Sequence, residues 1–529
     1  SCPEELRRPL EVWGETFHNY VSLEDSPHGH EVLQKLVDAH FVQKVRSIDE
    51  VKRRLGGAPV TSKLALITTI KDNVLKHRLI LDCRVSGAND AAHRFERILL
   101  PKAWDIVAGA MHLHKRASPG ECVELLVLDF ADAFYMLPLV GCEKRYFVAY
   151  DGGFFYLWDR IAQGSLNGPT AFGRLSALTA RMTQALYPDS ELQLQIYTDD
   201  PCAVMRGTPR RIKVMATVLA LFWRALGWKL SYHKGQLGKA VDWIGFTFKI
   251  QPTGVSVEVK AEFMDEFGKS VADLLKIPKV SVSEVQSFAG RANHITNLLI
   301  AWRPFISELW AAIYSSSAQR SGKVWVRQIR QTLKWLNIFM RGHRGALVIF
   351  WGFNEFLHSD AAGTLYLDAS PWGLGGVLVV NCRVHSWFSC AVTRHDERIL
   401  SVVIGESDSQ QKLEALVILV AFRLWIDVLK TKRIILTLKS DNTSALAMAS
   451  GLKITSSALI SQELALLLAE SCFMPKYFDH LPGVMNGFAD SLSRLDEPRS
   501  RHVVPTALKG ERRVHPQRRD ETFYTTLAQ

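Results

Sequence analysis

The order of apolar and polar residues divides the chain into stretches with different periodicities. Between residues 46 and 250, strand-like runs of alternating polarity are interspersed with runs that repeat every three to four residues, as helices do. Residues 251–355 have a mainly helical pattern. Within residues 362–495, consecutive strand-like runs precede a long apolar helix at 409–430, another strand and further helical runs. The pattern predicts an α+β chain of several domains, with the clearest boundary near residues 350–362.

The two ends of the chain follow neither periodicity. Residues 1–45 mix apolar and polar positions without a clear repeat, so they are treated as a separate N-terminal segment. After Pro498 the chain becomes rich in arginine, and residues 496–529 are expected to form a basic tail. A chain of 529 residues is too long to share one hydrophobic core, which agrees with several domains.

The charge of the chain favours a polyanionic partner. Lysine and arginine outnumber aspartate and glutamate by 64 to 53, a net charge of +11. The excess is concentrated between residues 309 and 354, where no acidic residue occurs. Four basic residues recur there at helical spacing: Lys323, Arg327, Arg330 and Lys334. The spacing predicts an amphipathic helix with one basic face. That face could simply be solvated, but the missing acids favour contact with phosphate.

Cysteine usage and hydropathy indicate an intracellular protein, cytoplasmic or nuclear. The eight cysteines are scattered without a Cys-x-x-Cys pair, which argues against a zinc site or a disulfide framework. No apolar run reaches membrane-spanning length, and no signal peptide pattern is present. We therefore expect no membrane partner. The chain begins at Ser1 rather than at methionine, which suggests a piece processed from a parent polyprotein.

A first set of acids lies at the ends of predicted strands. Asp199 and Asp200 follow an apolar run and precede Pro201, and two adjacent aspartates converge on one site most easily at a tight turn. Asp129 ends a second apolar run, and Asp132 lies three residues further on. Hard cations such as Mg²⁺ need several oxygen ligands. Each motif alone could be an ordinary strand-ending turn, but their pairing favours a metal site.

These stretches, with others in matching order, resemble the fingers, palm and thumb of a reverse transcriptase. The motifs are KHRLILDCR (76–84), VLDFADAFYMLPL (127–139), AQGSLNGPTAF (162–172), IYTDD (196–200), LGWKLSYHKGQ (226–236), WIGFTF (243–248) and VSEVQSFAGRANHITNLL (282–299). The resemblance covers about residues 46–310. It implies a right-hand polymerase, with fingers and palm at 46–250 and a helical thumb and connection at 251–355.

The resemblance implies that Asp129, Asp199 and Asp200 hold two Mg²⁺ ions, for which Mn²⁺ is a second candidate. One ion would activate the primer 3′-hydroxyl and the other would neutralise the triphosphate and the departing pyrophosphate. Lys234 would protonate that pyrophosphate. By its sequence alone, Lys234 is equally consistent with a surface lysine in a loop.

The resemblance also implies residues that bind the nucleotide and the duplex. The nucleotide set is Lys71, Arg78, Asp132, Ala133, Phe134 and Gln163. Phe134 would exclude a ribose 2′-hydroxyl and so favour deoxynucleotides, although a core phenylalanine is the alternative. The set facing the duplex minor groove is Gln286, Gly290 and Asn293.

A second set of acids repeats this arrangement nearer the C-terminus: Asp368, Glu414, Asp441 and Asp490. Four acids at strand ends and on helices could surround two Mg²⁺ ions and cut a phosphodiester with a metal-activated water. Residues 362–495 resemble an RNase H domain, an α/β fold, in their Asp-Ala-Ser-x-x-Gly-x-Gly-Gly opening and Ala-Asp-x-Leu-Ser-Arg closing motifs. The resemblance implies that His480 assists proton transfer or product release, although it could be an ordinary loop histidine.

Together the motifs suggest a retrotransposon reverse transcriptase, of the long-terminal-repeat or DIRS-like kind, with a C-terminal RNase H domain. The expected activities are RNA- and DNA-directed DNA synthesis and degradation of the RNA strand in hybrids. The expected partners are an RNA template, a DNA primer, RNA–DNA hybrid and deoxynucleoside triphosphates. The alternative is a domesticated or decayed element that binds nucleic acid without catalysis, against which the seven intact acids argue. An RNA-dependent RNA polymerase leaves the second domain unexplained.

Overall fold

The chain forms two compact units, residues 1–244 and residues 245–529, in a computed structural model. The structure describes residues 17–71, 74–93, 96–343, 346–354, 361–431, 434–452, 457–471 and 477–524. Residues on both sides of the predicted boundary at 350–362 belong to the second unit. The mixture of helices and strands confirms the α+β class that the periodicities predict.

The first unit is built around an antiparallel sheet. Its helices in the described residues are α1 (Val21–Glu24), α2 (Pro27–Asp38), α3 (Ile48–Leu55), α4 (Ala103–His114), α5 (Gly168–Gln184) and α6 (Pro209–Ala225). Its strands there are β1 (Val42–Val45), β2 (Lys63–Lys71), β3 (Val74–Asp82), β4 (Cys122–Val127), β5 (Phe130–Ala131), β6 (Val148–Asp151), β7 (Phe154–Trp158), β8 (Leu192–Tyr197), β9 (Asp200–Gly207), β10 (Lys229–Leu230), β11 (Gln236–Gly238) and β12 (Ala240–Trp243).

The central sheet of this unit has the strand order β11-β4-β9-β8. Leu192 and Leu194 of β8 share a hydrophobic core with buried residues of α5 and α6. Gln193, between them, lies on the opposite face of the strand and approaches Gly109 of α4. Strand side chains alternate between the two faces of a sheet, so α5 and α6 pack on one face and α4 packs on the other. A separate hairpin, β2–β3, bears Arg78.

The second unit contains a helical region followed by a five-stranded sheet. Its described helices are α7 (Ala261–Lys276), α8 (Val282–Ile295), α9 (Arg303–Ile313), α10 (Ser316–Ser321), α11 (Val326–Met340), α12 (Arg394–Leu400), α13 (Gln410–Thr431), α14 (Thr443–Gly451), α15 (Ala458–Ser471), α16 (Gly487–Ser493) and α17 (Glu521–Tyr524). Its described strands are β13 (Phe246–Gln251), β14 (Gly254–Val259), β15 (Lys279–Ser281), β16 (Lys323–Trp325), β17 (Val348–Gly352), β18 (Ala362–Ala369), β19 (Gly373–Val380), β20 (Arg383–Ala391), β21 (Ile435–Ser440) and β22 (Tyr477–His480).

The five-stranded sheet has the order β20-β19-β18-β21-β22. Strands β20, β19 and β18 pair antiparallel, whereas β21 is parallel to β18 and β22 is parallel to β21. Helix α13 packs on this sheet, and its central residues 413–422 are almost entirely apolar and buried. Because β18 and β21 are parallel, their carboxyl ends meet at the same edge of the sheet.

The predicted basic helix corresponds to α11, with one difference. Arg327, Arg330 and Lys334 are exposed on α11, and apolar residues of the same helix are buried. Lys323 is not on the helix, because it pairs with Ser281 across the two-stranded β15–β16 ribbon before α11 begins. The predicted helix is therefore correct only from Val326 onward.

The expected basic tail is packed against the second unit over much of its described part. Leu508, Phe523 and Tyr524 are buried. The Arg519 guanidinium donates to the buried carboxylate of Asp396, with Nη2 and Oδ2 2.9 Å apart. Arginines and two aromatic rings near the chain end thus have internal partners, which the loss of periodicity after Pro498 did not indicate.

In the described residues, none of the helices combines the length and the apolar character that crossing a bilayer requires.

Candidate active sites

The β8–β9 hairpin turn carries the first pair of acids. Tyr197 of β8 pairs with Asp200 of β9, so Thr198 and Asp199 alone form the turn. Thr198 has a φ of 54°, a left-handed conformation that a β-branched residue rarely adopts. The Ser176 hydroxyl donates to the Thr198 carbonyl at 2.6 Å, which helps to hold the turn. This connection brings both aspartates to one end of the central sheet.

Pro201, the residue after these acids, does not interrupt the sheet. It is the second residue of β9 and lies opposite Ile196 without a shift of register. Its carbonyl accepts a hydrogen bond from the Leu128 amide at 3.3 Å. A proline has no amide hydrogen to donate, so a position beside the strand start is the one where it costs least.

Asp129 lies two residues after the end of the neighbouring strand β4 and contacts Lys234. The Lys234 ammonium donates to the Asp129 carboxylate, and the Asp129 carbonyl accepts from the Ser231 amide at 2.9 Å. Burial alone would raise the pKa of Asp129, but hydrogen bonds from Lys234 and Ser231 hold it below its usual value. Asp129 is therefore ionised and paired with a cation from the chain itself.

Asp200 has the opposite electrostatic state. Burial, followed by the charges of Asp199 and Asp129, raises the pKa of Asp200 to about 7. Its hydrogen bond with Asp129 stabilises the protonated form further. The structure thus brings Asp129, Asp200 and Lys234 together. Asp199 acts on Asp200 through its charge, while its own Oδ1 accepts a hydrogen bond from Thr198 at 2.7 Å.

The expected nucleotide-binding residues of the first unit lie on several elements. Arg78 is on β3 opposite Ile67, whereas Lys71 ends β2 and its side chain lies outside the described part of the structure. Asp132 is exposed, and its carboxylate is 3.5 Å from Lys229 Nζ. Ala133, the next residue, is buried.

Phe134 and Gln163 occupy restricted positions. The Phe134 ring is partly exposed and stacks on Phe172, with centroids 5.3 Å apart. The Gln163 carbonyl accepts from the Leu81 amide at 2.9 Å. At the next residue, Gly164, a Cβ atom would lie 2.1 Å from the Leu81 carbonyl oxygen, so a larger residue would push this segment off β3.

The second set of acids converges at one edge of the five-stranded sheet. Asp368 lies near the end of β18, Asp441 follows β21, and Glu414 is in the second turn of α13. Ligand atoms of these three carboxylates all lie within 4.8 Å of one another. It is the single group of three or more such ligands found in the described residues. Asp368 is 3% exposed and Glu414 2%, so two of the three charges are almost fully removed from water.

Burial and mutual repulsion determine the protonation of this group. Burial, followed by the charges of Asp441 and Asp490, raises the pKa of Asp368 to about 7. A hydrogen bond from Ser493 lowers the pKa but does not cancel this increase. Burial, with the charges of Asp368 and Asp441, raises the pKa of Glu414 well above its usual value. Three carboxylates this close cannot all ionise without a counter-charge.

The donor set of this group fits a divalent metal ion. Glu414 Oε1 accepts from Gln410 Nε2 at 2.9 Å, but Glu414 Oε2 is buried without a hydrogen-bond partner. A buried carboxylate oxygen without a donor is costly. All ligands are hard oxygens, as Mg²⁺ prefers. Asp368, Glu414 and Asp441 are therefore the residues that would hold the ion.

The two remaining predicted residues stand at the border of this group. Asp490 lies outside the group of three, and its Oδ1 accepts from Arg494 Nε at 2.6 Å, although its charge raises the pKa of Asp368. His480 ends β22 and is exposed, with Nε2 3.0 Å from the Asp441 carbonyl oxygen. His480 therefore contacts the backbone of Asp441 and not its carboxylate.

Three residues that hydrogen-bond to the site's carboxylates or to the strand that bears Asp368 were not assigned a role from the sequence. Ser493 Oγ donates to Asp368 Oδ2 at 2.6 Å, and the buried Asn486 amide donates to the Leu367 carbonyl at 3.0 Å. Gln410, the third, could have been found because it lies one helical turn before Glu414. Ser493 belongs to the closing motif quoted above, but only the folded chain shows that it reaches Asp368.

The expected duplex-binding residues are exposed in the second unit. Gln286, Gly290 and Asn293 lie on one face of α8, and a Cβ at Gly290 would meet nothing within 4 Å. An open glycine on such a face leaves room for a close partner.

No protein-family model matches the chain. Among solved structures, it is similar to the foamy viral protease-reverse transcriptase dRH in complex with ds DNA, at 17% identity and a TM-score of 0.45. This match covers 90% of this chain and 72% of that one. It is also similar to the foamy viral protease-reverse transcriptase in complex with RNA/DNA hybrid, at 16% identity and a TM-score of 0.44. That match covers 89% of this chain and 55% of the other.

Proposed function

We propose that this chain is a retroelement reverse transcriptase: an RNA- and DNA-directed DNA polymerase that also degrades the RNA strand of RNA–DNA hybrids. The observation that carries the proposal is the group formed by Asp368, Glu414 and Asp441, with an unpartnered, buried oxygen on Glu414. Burying neighbouring carboxylates costs free energy, and a bound cation would offset that cost. The acids around the β8–β9 turn support a second, separate reaction centre.

In the polymerase site, Asp129 and Asp200 would hold the catalytic Mg²⁺ with Asp199. Bound there, Mg²⁺ supplies charge stabilisation for the attacking 3′-hydroxyl and the leaving pyrophosphate. Lys234 donates a hydrogen bond to Asp129 and keeps it ionised, and its ammonium would donate a proton to the departing pyrophosphate. Asp200, with a pKa of about 7, must lose its proton for the site to act.

The nucleotide would lie between the β2–β3 hairpin and the segment that follows Asp129. Lys71 and Arg78 would contact its phosphates, with backbone support at Asp132 and Ala133. The half-exposed ring of Phe134 would bar a ribose 2′-hydroxyl. Gln163 would line the pocket, held by its own backbone against β3.

In the RNase H site, Asp368, Glu414, Asp441 and Asp490 would hold two Mg²⁺ ions. Bound there, Mg²⁺ supplies an activated water and neutralises the scissile phosphate. Ser493 orients the Asp368 carboxylate and Gln410 orients Glu414. His480 is exposed at the border of the site, where it can pass a proton to the leaving group or to solvent.

The duplex would be held by exposed residues of the helical region. Gln286, Gly290 and Asn293 of α8 would face the minor groove. The basic set would contact phosphates: Lys323, Arg327, Arg330 and Lys334.

The test is a pair of assays on the same preparation of the full chain with Mg²⁺. A labelled DNA primer on an RNA template reports synthesis, and a labelled RNA strand in a hybrid reports cleavage. We expect both activities, and both should stop with a chelator. Folded protein that binds the hybrid but shows neither activity would instead support a domesticated, non-catalytic nucleic-acid-binding protein.

A further inference from the structure

The two-stranded ribbon of the second unit presents one polar and one apolar face. In the antiparallel β15–β16 pair, Lys279 lies opposite Trp325 and Ser281 lies opposite Lys323. Val280 and Val324, between them, are buried. Because successive strand residues point to opposite faces, the lysines and the tryptophan share the outward face. Trp325 is 39% exposed, which is unusual for so large an apolar ring.

Two cations are gathered on that ring. Lys279 Nζ lies 3.9 Å from the centroid of Trp325, and Arg327 Cζ lies 5.2 Å from it. An ammonium or guanidinium over an indole is attracted by the negative face of the ring. The tryptophan therefore restricts two long side chains that would otherwise sample many rotamers.

No carboxylate of the described residues pairs with Lys279, Lys323 or Arg327. The acids nearest in sequence have other partners. Asp273 pairs with Lys276 at 2.9 Å, and Glu284 accepts from the amide of Ser281 at 3.1 Å. The acid-free stretch 309–354 supplies none. Cations that are ordered but unpaired form a surface of uncompensated positive charge.

We propose that Lys279, Trp325 and Arg327 form a phosphate clamp, the Trp325 clamp, which binds the sugar–phosphate backbone of an RNA–DNA hybrid. The inference rests on the proposed function for the identity of the duplex. The ring holds the two cations in place, and the cations contact the phosphate oxygens. Lys323 on the same face, and Arg330 and Lys334 on α11, extend the positive surface. Contact of this kind is independent of base sequence.

The clamp makes Trp325 a positioning residue, which a charge-neutral substitution can test. Binding of the full chain to a fluorescently labelled hybrid is measured by anisotropy at several salt concentrations, in the absence of Mg²⁺ so that no cleavage occurs. We expect Lys279→Gln and Arg327→Gln each to weaken binding about 3- to 10-fold. Each should also lower the slope of log affinity against log salt by about 0.9, the value for one lost phosphate contact.

The distinctive expectation concerns Trp325→Leu. This change removes no charge, yet it should lower the salt slope and weaken binding as a lysine substitution does, because both cations lose their support. Trp325→Phe keeps a ring and should restore most of the affinity. In the Lys279→Gln/Arg327→Gln background, Trp325→Leu should have no further effect. Arg383→Gln, an exposed arginine on β20 of the same unit, is the matched control and should bind as the unaltered chain does.

Several results would overturn the clamp. One is an unchanged affinity and salt slope for Trp325→Leu. Another is an additional loss in the double-variant background, which would mean that the ring contacts nucleic acid directly. Thermal unfolding checks that each variant is folded. If Trp325→Leu does not fold, the affinities and salt slopes of Trp325→Phe and Arg327→Gln test the clamp instead. An unaltered chain that binds the hybrid but does not cleave it with Mg²⁺ contradicts the proposed function, and the Trp325→Leu result then decides the clamp by itself. A chain that does not bind it overturns both.

Discussion

The two carboxylate clusters balance their charge in different ways. Around the β8–β9 turn, Asp129 pairs with the Lys234 ammonium and Asp200 keeps a proton up to a pH of about 7. At the edge of the five-stranded sheet, Asp368 and Glu414 are buried beside Asp441 with no lysine between them. The first cluster is thus neutralised largely from within the chain. The second has a cation only at its border, where Arg494 pairs with Asp490 and weakly lowers the pKa of Asp368.

The backbone explains the difference. A two-residue turn presents its acids at the tip of a hairpin, where a side chain from a neighbouring loop such as Lys234 can reach them. Parallel strands β18 and β21 end under helix α13, where Asp368 and Glu414 are enclosed and the nearest cation with an effect on Asp368, Arg494, pairs with Asp490 instead. Consequently we expect the second cluster to bind a divalent ion with less rearrangement than the first.

The largest expected effect separates the two clusters outright. Asp199→Asn should abolish DNA synthesis and leave hybrid cleavage intact, while Asp441→Asn should do the reverse. Loss of a metal ligand removes several kcal/mol of transition-state stabilisation, which corresponds to a rate loss on the order of a thousand-fold. Both activities are measured on each variant, so each preparation is its own control. If either variant lost both activities, the two clusters would not be independent sites.

The next effect tests whether the C-terminal segment stabilises the unit that carries the second cluster. Asp396 is fully buried and accepts hydrogen bonds from Arg519 and Tyr524. Asp396→Asn would leave the Arg519 guanidinium buried without a counter-charge, which costs about 3–5 kcal/mol of unfolding free energy. Urea unfolding measures it, and the exposed Asp408→Asn is the control. Hybrid cleavage by Asp396→Asn should stop at a lower urea concentration than cleavage by Asp408→Asn.

The same residue gives a pH dependence of known sign. Burial alone would raise the pKa of Asp396, but Arg519 and Tyr524 hold it below its usual value. The network therefore stabilises the fold fully above the ordinary aspartate pKa of about 3.9 and loses this contribution as the pH falls through the lower folded value. Unfolding of Asp396→Asn should lack this acid dependence. An identical acid dependence in both proteins would contradict the assignment.

The third prediction tests how far the first cluster depends on the Lys234 ammonium. Lys234→Met should slow synthesis by about a hundred-fold, the scale of a lost general acid, and leave hybrid cleavage unchanged. Without the ammonium, the pKa of Asp129 should rise, so the residual rate should reach its plateau at a higher pH. Rates are measured across pH 6 to 9. Lys213→Met, an exposed lysine on α6, is the matched control, and equal slowing by both variants would exclude a role for Lys234.

The smallest effect concerns metal binding at the second cluster. With its raised pKa of about 7, Asp368 is protonated at pH 6 and ionised at pH 8, and Mg²⁺ must displace that proton. Without metal, stability should fall as the pH rises towards 7, since the unfolded carboxyl ionises first. Saturating Mg²⁺ should raise the melting temperature by about 2–4 °C more at pH 8 than at pH 6. Glu414→Gln should remove most of this difference.

Sequence reasoning predicted best the residues that end regular elements. Asp129 and Asp441 follow apolar strands and Asp368 lies near the end of one, and the periodicity of those strands alone places an acid at a sheet edge. It predicted less well what depends on distant partners. Lys323 was assigned to α11, because helical spacing does not reveal that β15, more than forty residues earlier in the chain, pairs with its segment.

Other features of the sites required the folded chain for a similar reason. Thr198 adopts a positive φ that its residue type disfavours, so no local preference predicts it. Ser493 and Asp368 are 125 positions apart, and only the packing of α16 against β18 and β19 brings them together. The partners of Arg519 are likewise remote in sequence. Such contacts are selected by three-dimensional geometry, not by spacing along the chain.

The C-terminal segment also changes the outer boundary of the five-stranded sheet. Strand β20 would expose a row of unpaired backbone groups, but the Trp387 amide donates to the Arg512 carbonyl at 3.0 Å and the Val514 amide donates to the Trp387 carbonyl at 2.9 Å. An open strand edge is a template for pairing with another chain. Residues 512–514 therefore cover part of the β20 edge, so that this part cannot pair with a second chain. A protein shortened before residue 512 would expose the backbone groups of Trp387 on β20, where a second chain could pair edge to edge.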